Sequence, residues 1–462
     1  MNRFLISILA VTLLALPGAA READKEDLSL EKAISRALEK NFQVKILRQQ
    51  ERSAGINNSW GAAGAFPTIN LGLDLDHSRV DAPASAGDGR LTTTANSASP
   101  YVTLRWTLFN GFGVSITKRK LALLEQVSRG NTALTVENAI QAVILAYYNA
   151  LLQQEQLKIA REVRALSKDR YDYVKMKKDL GSAGTYDELQ AKIAYLDDVA
   201  RCQSQMLNLN TALRSLNQVM GEAGDKAYRL TGTFTHEPRE YALEDLEKKM
   251  EDSNRTLRNQ LLNAALREND VRLSRSAAAP TVSLNSGAGA GFAVSRPGSA
   301  PRVNASTYNY YVGFTLNLTL SDGGRVRRAI ANALINRRIA QLQIDELRLS
   351  LRNSLTNLLE RYDIRRRLLE VAEEKMASAR LSLEISGDKF RSGAINSFNY
   401  RDAQLLYLNA AFEKLAAIYD IIDTHTELAR LTGAIVVDRE EGRGKWKVES
   451  EKDKAEYPLR VH

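Results

Sequence analysis

The tetrapeptide LFNG at residues 108–111 returns as LSDG at residues 320–323, 212 positions later. The same offset relates residues 181–191 to residues 393–403, where glycine, hydroxyl, aromatic and small residues recur in the same order. An offset that holds over so long a stretch indicates two copies of one structural unit rather than coincidence. The content of one copy therefore decides the fold.

Each copy has the same predicted order of elements, and it begins with a helix that ends at Pro67 or Pro280. A strand, a loop rich in glycine, serine and proline, and a second strand follow. Then come a very long helix, a tight turn at Gly181 or Gly393, and a returning helix.

Proline is missing from residues 101–237 and from residues 302–457, although the chain has nine prolines. A proline inside a helix costs about 3 kcal/mol, so such gaps are expected of long helices. In the second copy, apolar residues from Ile344 to Leu383 recur at spacings of three, four or seven, which is typical of a coiled-coil seam. We predict helices over residues 324–390 and 114–180, each roughly 100 Å long at 1.5 Å per residue. Helices of this length are typical of coiled coils and tubes.

Four shorter stretches alternate apolar and polar residues, with a period of two that predicts strands with one apolar face. They lie at about residues 68–78, 99–109, 281–293 and 307–320. Each is long enough for a tilted membrane strand of about 9–11 residues. Five aromatic residues near the strand ends are candidates for the boundary between lipid and water: Trp106, Phe109, Phe292, Tyr308 and Tyr310. The alternation suits the inner face of a soluble sandwich equally well.

If the strands span a membrane, the chain must share its sheet with other copies of itself. Four strands are too few to close around a lumen, and an open edge cannot face lipid. Three chains would supply twelve strands, which is enough for a closed barrel with an interior.

The chain ends and the overall composition narrow the class of protein. Arg3, an apolar run over residues 4–16 and small residues at 18–20 predict a secretory signal peptide. The single cysteine, Cys202, excludes an internal disulfide framework. The net charge of +9 arises from basic residues interleaved with acidic ones, which indicates solvated helix faces and no nucleic-acid partner. We expect no cofactor, no metal site and no enzyme active site, because the four histidines are scattered and no catalytic group assembles.

These observations divide the chain into five parts. They are a signal peptide (1–20), the first copy (21–221), a linker or equatorial segment (222–245), the second copy (246–437) and a flexible periplasmic tail (438–462).

The motifs together resemble the TolC-type outer-membrane efflux and secretion family, over the mature chain up to about Val437. They resemble its opening helix, its helix-to-strand junction, its strand-to-helix signature and its hairpin tips. The stretches concerned are residues 28–33 and 37–41, residues 66–67, residues 106–111 and 320–324, and residues 181–191 and 393–403. In this order, and twice in one chain, they are specific.

The resemblance implies an α+β membrane protein that works as a homotrimer. Its twelve-stranded β-barrel, with four strands from each protomer, would lie in lipid of the outer membrane and be continued by a long periplasmic α-helical barrel. The family member is a passive duct for efflux or type I secretion. Its expected partners are a periplasmic adaptor and an inner-membrane transporter of the RND, ABC or MFS type. The alternative is a non-channel periplasmic coiled-coil adaptor or scaffold protein.

The resemblance also assigns a gate at the periplasmic aperture to Asp402, Asn399 and Asp187. In the family both second-copy positions are acids, so Asn399 is a departure. An ordinary acid near a helix start would explain Asp402 and Asp187 as well. The hairpin tips would meet the adaptor, or else hold ordinary turn and packing residues. The tip residues concerned are Gly181, Thr185, Phe390, Arg391, Gly393 and Ser397.

Overall fold

The computed structural model describes residues 26–83, 90–235, 239–298, 301–435, 437–439 and 446–448. The predicted signal peptide lies outside these residues. The described chain forms two compact units. We call residues 26–40, 142–235 and 365–423 the hairpin-tip unit, and the remaining described residues the sheet unit.

The elements follow one another in an order in which two strands, a long helix and a returning helix occur twice. In chain order they are β1 (Glu26–Leu28), α1 (Leu30–Lys40), α2 (Phe42–Asn57), β2 (Thr68–Pro83), β3 (Arg90–Asn110), α3 (Gly113–Asp179), α4 (Thr185–Met220), β4 (Tyr228–Leu230), α5 (Leu243–Ser253), α6 (Arg255–Ser276), β5 (Thr281–Pro297), β6 (Val303–Asn317), α7 (Arg325–Arg391), α8 (Ser397–Leu431), β7 (Val437–Arg439) and β8 (Trp446–Val448).

The helices α3 and α7 each have 67 residues and contribute to both units. Their bounds differ by one residue from the predicted 114–180 and 324–390. The predicted seam of α7 is buried, with Leu355 and Tyr362 fully enclosed in the sheet unit and Leu383 enclosed in the hairpin-tip unit. No helix of the described ranges is both long and apolar enough to cross a membrane.

In the hairpin-tip unit, helices α3, α4, α7 and α8 supply the core. One cluster joins Val163 of α3 to Leu383 of α7 and to Tyr407 and Leu408 of α8. The short strands β1 and β4 pair in parallel within the same unit. The apolar spacing of three and four residues along each helix therefore buries a continuous stripe against its neighbours.

The sheet unit contains a four-stranded sheet in the order β2-β3-β5-β6, antiparallel throughout. The strands β2, β3 and β5 extend beyond the predicted 68–78, 99–109 and 281–293, because pairing continues up to Pro83↔Arg90 after the apolar alternation fades. Strand β6 begins at Val303, before the predicted 307, and stops before the predicted 320, because its neighbour β5 begins at Thr281, opposite Asn317. Among the described residues, no strand lies beside residues 318–320 for them to pair with.

Regular structure also occurs within the predicted linker and the predicted tail. The linker placed at 222–245 contains β4, and α5 begins at Leu243, before the predicted start of the second copy at 246. Within the predicted tail, the described residues form strand β8 and most of β7, which pair with each other as a short antiparallel hairpin. The rest of the predicted tail lies outside the described residues.

Candidate functional site

One face of the four-stranded sheet is apolar from edge to edge, and we call it the apolar face. Cross-strand neighbours lie on the same face, and one row runs Leu71↔Val102↔Ala288↔Tyr310. The large side chains of this face are Ile69, Leu71, Leu73, Leu75, Val102, Leu104, Trp106, Leu284, Phe292, Tyr308, Tyr310, Val312, Phe314 and Leu316.

The apolar face is exposed, with Leu71 81% and Tyr310 89% accessible. A soluble sandwich would bury this face against a second sheet about 10 Å away. No second layer covers it within the described residues. The opposite face carries polar residues such as Asn70, Thr103 and Asn309. This division into an apolar and a polar face is typical of strands that separate lipid from water.

The five predicted interface aromatics all lie on the apolar face. A bulge after Thr107 leaves Leu108 without a cross-strand partner and places Phe109 opposite Val282 on the apolar face. Strict alternation after Trp106 would place Leu108 on the apolar face, and the bulge gives that place to Phe109.

Four of these aromatics form two levels along the strands, and the fifth, Tyr310, lies opposite Ala288 between the levels. Trp106 lies opposite Leu284, whereas Phe292 lies eight residues farther along β5 and contacts Tyr308 with ring centroids 6.3 Å apart. Eight residues span about 26 Å of strand at 3.3 Å per residue. Even after tilting, that separation is comparable to an outer-membrane apolar band of about 25 Å.

The outer strands β2 and β6 each pair on one side only among the described residues. Each therefore presents a row of free backbone donors and acceptors over at least 15 residues. Such edges are templates for pairing with another chain.

The two hairpin turns use glycine for its backbone conformation. Gly181 has φ of 74° and Gly393 has φ of 80°, and a Cβ at either place would meet nothing within 4 Å. Helix α4 starts at Thr185, which is exposed, and α8 starts at Ser397, which is half-buried. The carbonyl oxygen of Ser397 accepts a hydrogen bond of 2.9 Å from the Arg170 guanidinium.

The two aromatic and basic tip residues differ in accessibility. Phe390 is buried between Tyr173 and Tyr400, with ring centroids 5.2 and 5.0 Å away. Arg391 is exposed, and its guanidinium lies 3.2 Å from the Asp388 carboxylate. The structure therefore places Phe390 in a packing position behind the tip and leaves Arg391 on the surface.

The three predicted gate residues have different surroundings. The Asp187 carboxylate accepts a hydrogen bond of 3.2 Å from the Gly184 backbone N–H and so caps the start of α4. The backbone N–H of Asn399 donates to Asn396 Oδ1 at 2.9 Å. Asp402 is exposed on α8 and has no ion pair or hydrogen bond to the described residues through its carboxylate.

A buried charged cluster in the hairpin-tip unit was not predicted. Arg401 donates to both carboxylate oxygens of Asp198, at 2.5 and 3.0 Å, and Asp198 is fully buried. Burial, together with the nearby positive charge of Arg401, lowers the pKa of Arg170 to about 10. No sequence signal links residues of two long helices that lie 203 positions apart.

No group of histidine, cysteine, aspartate and glutamate side chains that could hold a metal ion occurs in the part of the chain that the structure describes.

Solved structures share this fold. A membrane protein from Pseudomonas aeruginosa is 17% identical over 87% of this chain and 92% of its own, with a TM-score of 0.72. The CmeC outer membrane channel of Campylobacter jejuni is 16% identical over 87% and 85%, with a TM-score of 0.70. The MtrE outer membrane channel of Neisseria gonorrhoeae, solved in an open state, is 13% identical over 87% and 88%, with a TM-score of 0.66. At these identities the likeness shows the fold.

No curated protein sequence matches the chain. The sequence model of the outer membrane efflux protein family matches residues 33–222 and 246–434, which together make up most of the chain. This match confirms the resemblance drawn from the repeated motifs, and it favours a channel over the periplasmic scaffold. The chain therefore belongs to the outer membrane efflux protein family, and it is an outer-membrane protein with a periplasmic helical domain.

Proposed function

We propose that this protein is the outer-membrane duct of a tripartite efflux system or a type I secretion system. Cargo would pass from the periplasm to the exterior without chemical change. A periplasmic adaptor would hold the duct against an inner-membrane transporter of the RND, ABC or MFS type. That transporter would supply the energy.

The observation that carries the proposal is the exposed apolar face with an unpaired strand at either side. In lipid, every backbone donor and acceptor needs a partner, so the free edges of β2 and β6 must pair with other copies. Three copies supply twelve strands, which close around an interior. The homotrimer is thus the assembly that satisfies both the lipid-facing side chains and the backbone edges.

The long helices supply the periplasmic part of the duct. Each protomer has four of them, α3, α4, α7 and α8, with apolar stripes. Three protomers would arrange these helices as a helical barrel. The two halves of the chain have the same element order. The helical hairpins that they contribute to the barrel would therefore be similar, as expected from two internal repeats.

The hairpin tips are proposed to meet the adaptor. Thr185 and Arg391 are exposed beside Gly181 and Gly393, so side chains and turns there are accessible to a partner. Phe390 would not touch the adaptor itself. Its buried ring would hold the second turn in place for the contact. Ser397 would act similarly through its carbonyl contact with Arg170.

The periplasmic aperture gate is proposed to centre on Asp402. Its carboxylate has no structural partner among the described residues, whereas that of Asp187 is occupied as a helix cap. Three copies of Asp402 would form an acidic ring that attracts cations. Asn399 would line the same aperture without charge.

The test of the duct is conductance of the detergent-purified protein in a planar lipid bilayer, together with its mass in detergent. We expect long-lived pores and a mass of three chains. Protein that stays monomeric without detergent and forms no pores would overturn the proposal. Pores formed by a different number of copies would retain the duct and reject the twelve-stranded barrel.

A further inference from the structure

Four strand ends meet at one edge of the sheet, which we call the helix edge. Strands β3, β5 and β6 share the row Asn110↔Thr281↔Asn317 there, and β2 begins nearby at Thr68, opposite Arg105. Helices α3, α6 and α7 adjoin this edge. The turn at Gly111 packs closely on the end of α6, since a Cβ there would lie 2.5 Å from the Ser276 carbonyl oxygen.

The helical turns beside the helix edge carry an excess of positive charge. Residues 113–120, 268–276 and 320–328 contain eight basic residues and three acidic ones. We call the basic residues the collar: Lys118, Arg119, Lys120, Arg272, Arg275, Arg325, Arg327 and Arg328. The three acids are each within reach of one collar residue, with separations of 2.6 Å for Lys120–Asp270, 3.7 Å for Arg272–Glu268 and 3.9 Å for Arg325–Asp322.

Several collar charges are not used within the protein. Arg119, Arg275 and Arg327 are exposed and have no ion-pair partner among the described residues. The first turn of α7 holds Arg325, Arg327 and Arg328 and no acidic residue. Cations are unfavourable at a helix N-terminus, because its backbone N–H groups are already positive. The Asp322 carboxylate offsets part of this positive charge, because it accepts hydrogen bonds of 3.0 and 2.9 Å from the backbone N–H groups of Arg325 and Val326. One carboxylate does not balance three arginines, so the excess positive charge here favours an anion from outside the chain.

Exposed apolar side chains accompany the collar. Trp60, Phe66, Phe112 and Leu320 lie at the helix edge, and Phe112 and Leu320 are 70% and 91% accessible. The Lys118 ammonium lies 5.9 Å from the centre of the Trp60 ring. Phe112 keeps φ of 65°, which is unusual for a residue with a side chain. Aromatic and aliphatic groups interleaved with cations are typical of a protein surface at the boundary of a lipid bilayer.

We propose that the collar binds the phosphate groups of anionic phospholipids in the periplasmic leaflet of the outer membrane. The inference rests on the proposed function, which puts the apolar face in lipid and the helices in the periplasm. Arginine suits this ligand because its guanidinium can donate two parallel hydrogen bonds to one phosphate. The exposed apolar side chains at the helix edge would contact the adjoining acyl chains.

The experiment uses the full-length protein reconstituted in phosphatidylcholine vesicles that contain a minor fraction of phosphatidylglycerol with brominated acyl chains. Bromine quenches tryptophan fluorescence at short range, and Trp60 and Trp106 lie at the helix edge. Brominated phosphatidylcholine in matched vesicles gives the reference quenching. We expect phosphatidylglycerol to quench more strongly than phosphatidylcholine, and we expect salt to reduce the difference.

Two triple variants on one helix test the charges. Arg325→Gln/Arg327→Gln/Arg328→Gln removes the α7 part of the collar, and each arginine should contribute about fivefold to the preference for phosphatidylglycerol. Three such factors multiply to about a hundredfold, and because Asp322 offsets part of the Arg325 charge we expect a loss of at least about tenfold. The matched control carries three substitutions farther along α7, namely Arg361→Gln, Arg367→Gln and Arg380→Gln, and it should keep the wild-type preference.

The possible outcomes separate this inference from the duct itself. Pores with equal quenching by both lipids would overturn the collar and leave the duct standing. A second outcome is a collar variant that fails to assemble, together with a wild type that shows no lipid preference. The collar arginines would then form a contact between copies of the chain, and the inference would also be overturned. Vesicles without pores would reject the proposed function and the collar together.

Discussion

The two hairpin tips have the same glycine turn, but they hold it with different side chains. At the first tip the Asp187 carboxylate caps α4 through the Gly184 N–H. At the second tip the amide oxygen of Asn396 caps α8 through the Asn399 N–H. The first tip therefore uses the Asp187 carboxylate to stabilise a helix. The second tip caps with an uncharged residue and leaves Asp402 without a structural partner in the described chain.

The position just before each turn shows the same divergence. Phe390 of the second hairpin corresponds, 212 residues earlier, to Lys178 of the first. The ring of Phe390 is buried among aromatic residues, whereas the Lys178 ammonium lies 2.5 Å from the partly exposed Glu188 carboxylate. The second tip is thus held by apolar packing against the first hairpin, whereas the corresponding position of the first tip contributes only a surface ion pair.

The largest expected effect follows from that difference. We expect Phe390→Ala to destabilise the second tip by about 3–5 kcal/mol, because the substitution leaves a cavity among Tyr173, Tyr400 and Val174. Lys178→Ala should cost about 0–1 kcal/mol, since an exposed ion pair contributes little. Native-state hydrogen exchange of the purified protein in detergent measures both. Equal losses of protection in the two variants would contradict the comparison.

The ends of the two hairpins differ in charge. Gly221 ends α4 and is followed by Glu222, while Gly433 follows α8 and precedes Ala434. Burial works to raise the pKa of Glu222. Hydrogen bonds from Lys40, Tyr228 and Lys226 outweigh burial and lower the pKa to about 2, from an ordinary value of 4.5.

A depressed carboxylate pKa stabilises the fold above its unfolded value and loses that contribution as the pH falls through the folded value. We therefore expect Glu222→Gln to cost up to about 3 kcal/mol at neutral pH. The wild type should lose stability from pH 4.5 toward pH 2, and the variant should lose less over this interval. Chemical denaturation across that range measures the difference, with Ala434→Ser as the control. A variant with the same acid dependence as the wild type would assign the effect to other groups.

The caps give a smaller effect, confined to one tip each. We expect Asp187→Ala and Asn396→Ala to cost about 1 kcal/mol apiece, because each leaves a helix-terminal N–H without its acceptor. Hydrogen exchange should increase in the first turn of α4 for one variant and of α8 for the other. Asp187→Asn, which keeps an acceptor oxygen, should retain most of the protection. An effect that spreads to both tips would mean that they open as one unit.

The sequence predicted the elements that depend on local signals and missed those that depend on distant partners. Missing prolines and the apolar seam from Ile344 to Leu383 predicted α7 to within one residue, since both signals act along a single helix. The end of β6 depends on where β5 begins, and apolar alternation contains no information about that. The contact between Asp198 and Arg401 joins separate helices, so neither residue differs in sequence from an ordinary solvated charge.

The tip residues show the same limit at the candidate site. The family resemblance located both turns, but it could not distinguish Phe390, which is buried, from Arg391, which is exposed. Adjacent residues on a helix point about 100° apart, so one enters the core and the next reaches solvent. Which of them does so depends on where Tyr173 and Tyr400 lie, and that requires the packed structure.

The smallest expected change in stability is at Asp402. Substitution of this residue tests the difference between the two tips most directly. Asp402→Ala should alter stability by less than about 0.5 kcal/mol, because the carboxylate has no partner in the described chain. The same substitution should reduce the cation preference of single pores in a planar bilayer, since three negative charges leave the proposed aperture. Asn399→Asp should increase that preference, and Gln190→Ala, at the matching position of the first hairpin, should leave it unchanged. Identical selectivity in all three variants would retain the duct and remove the gate from Asp402, because a charge that lines the narrowest part of a pore must change which ions pass.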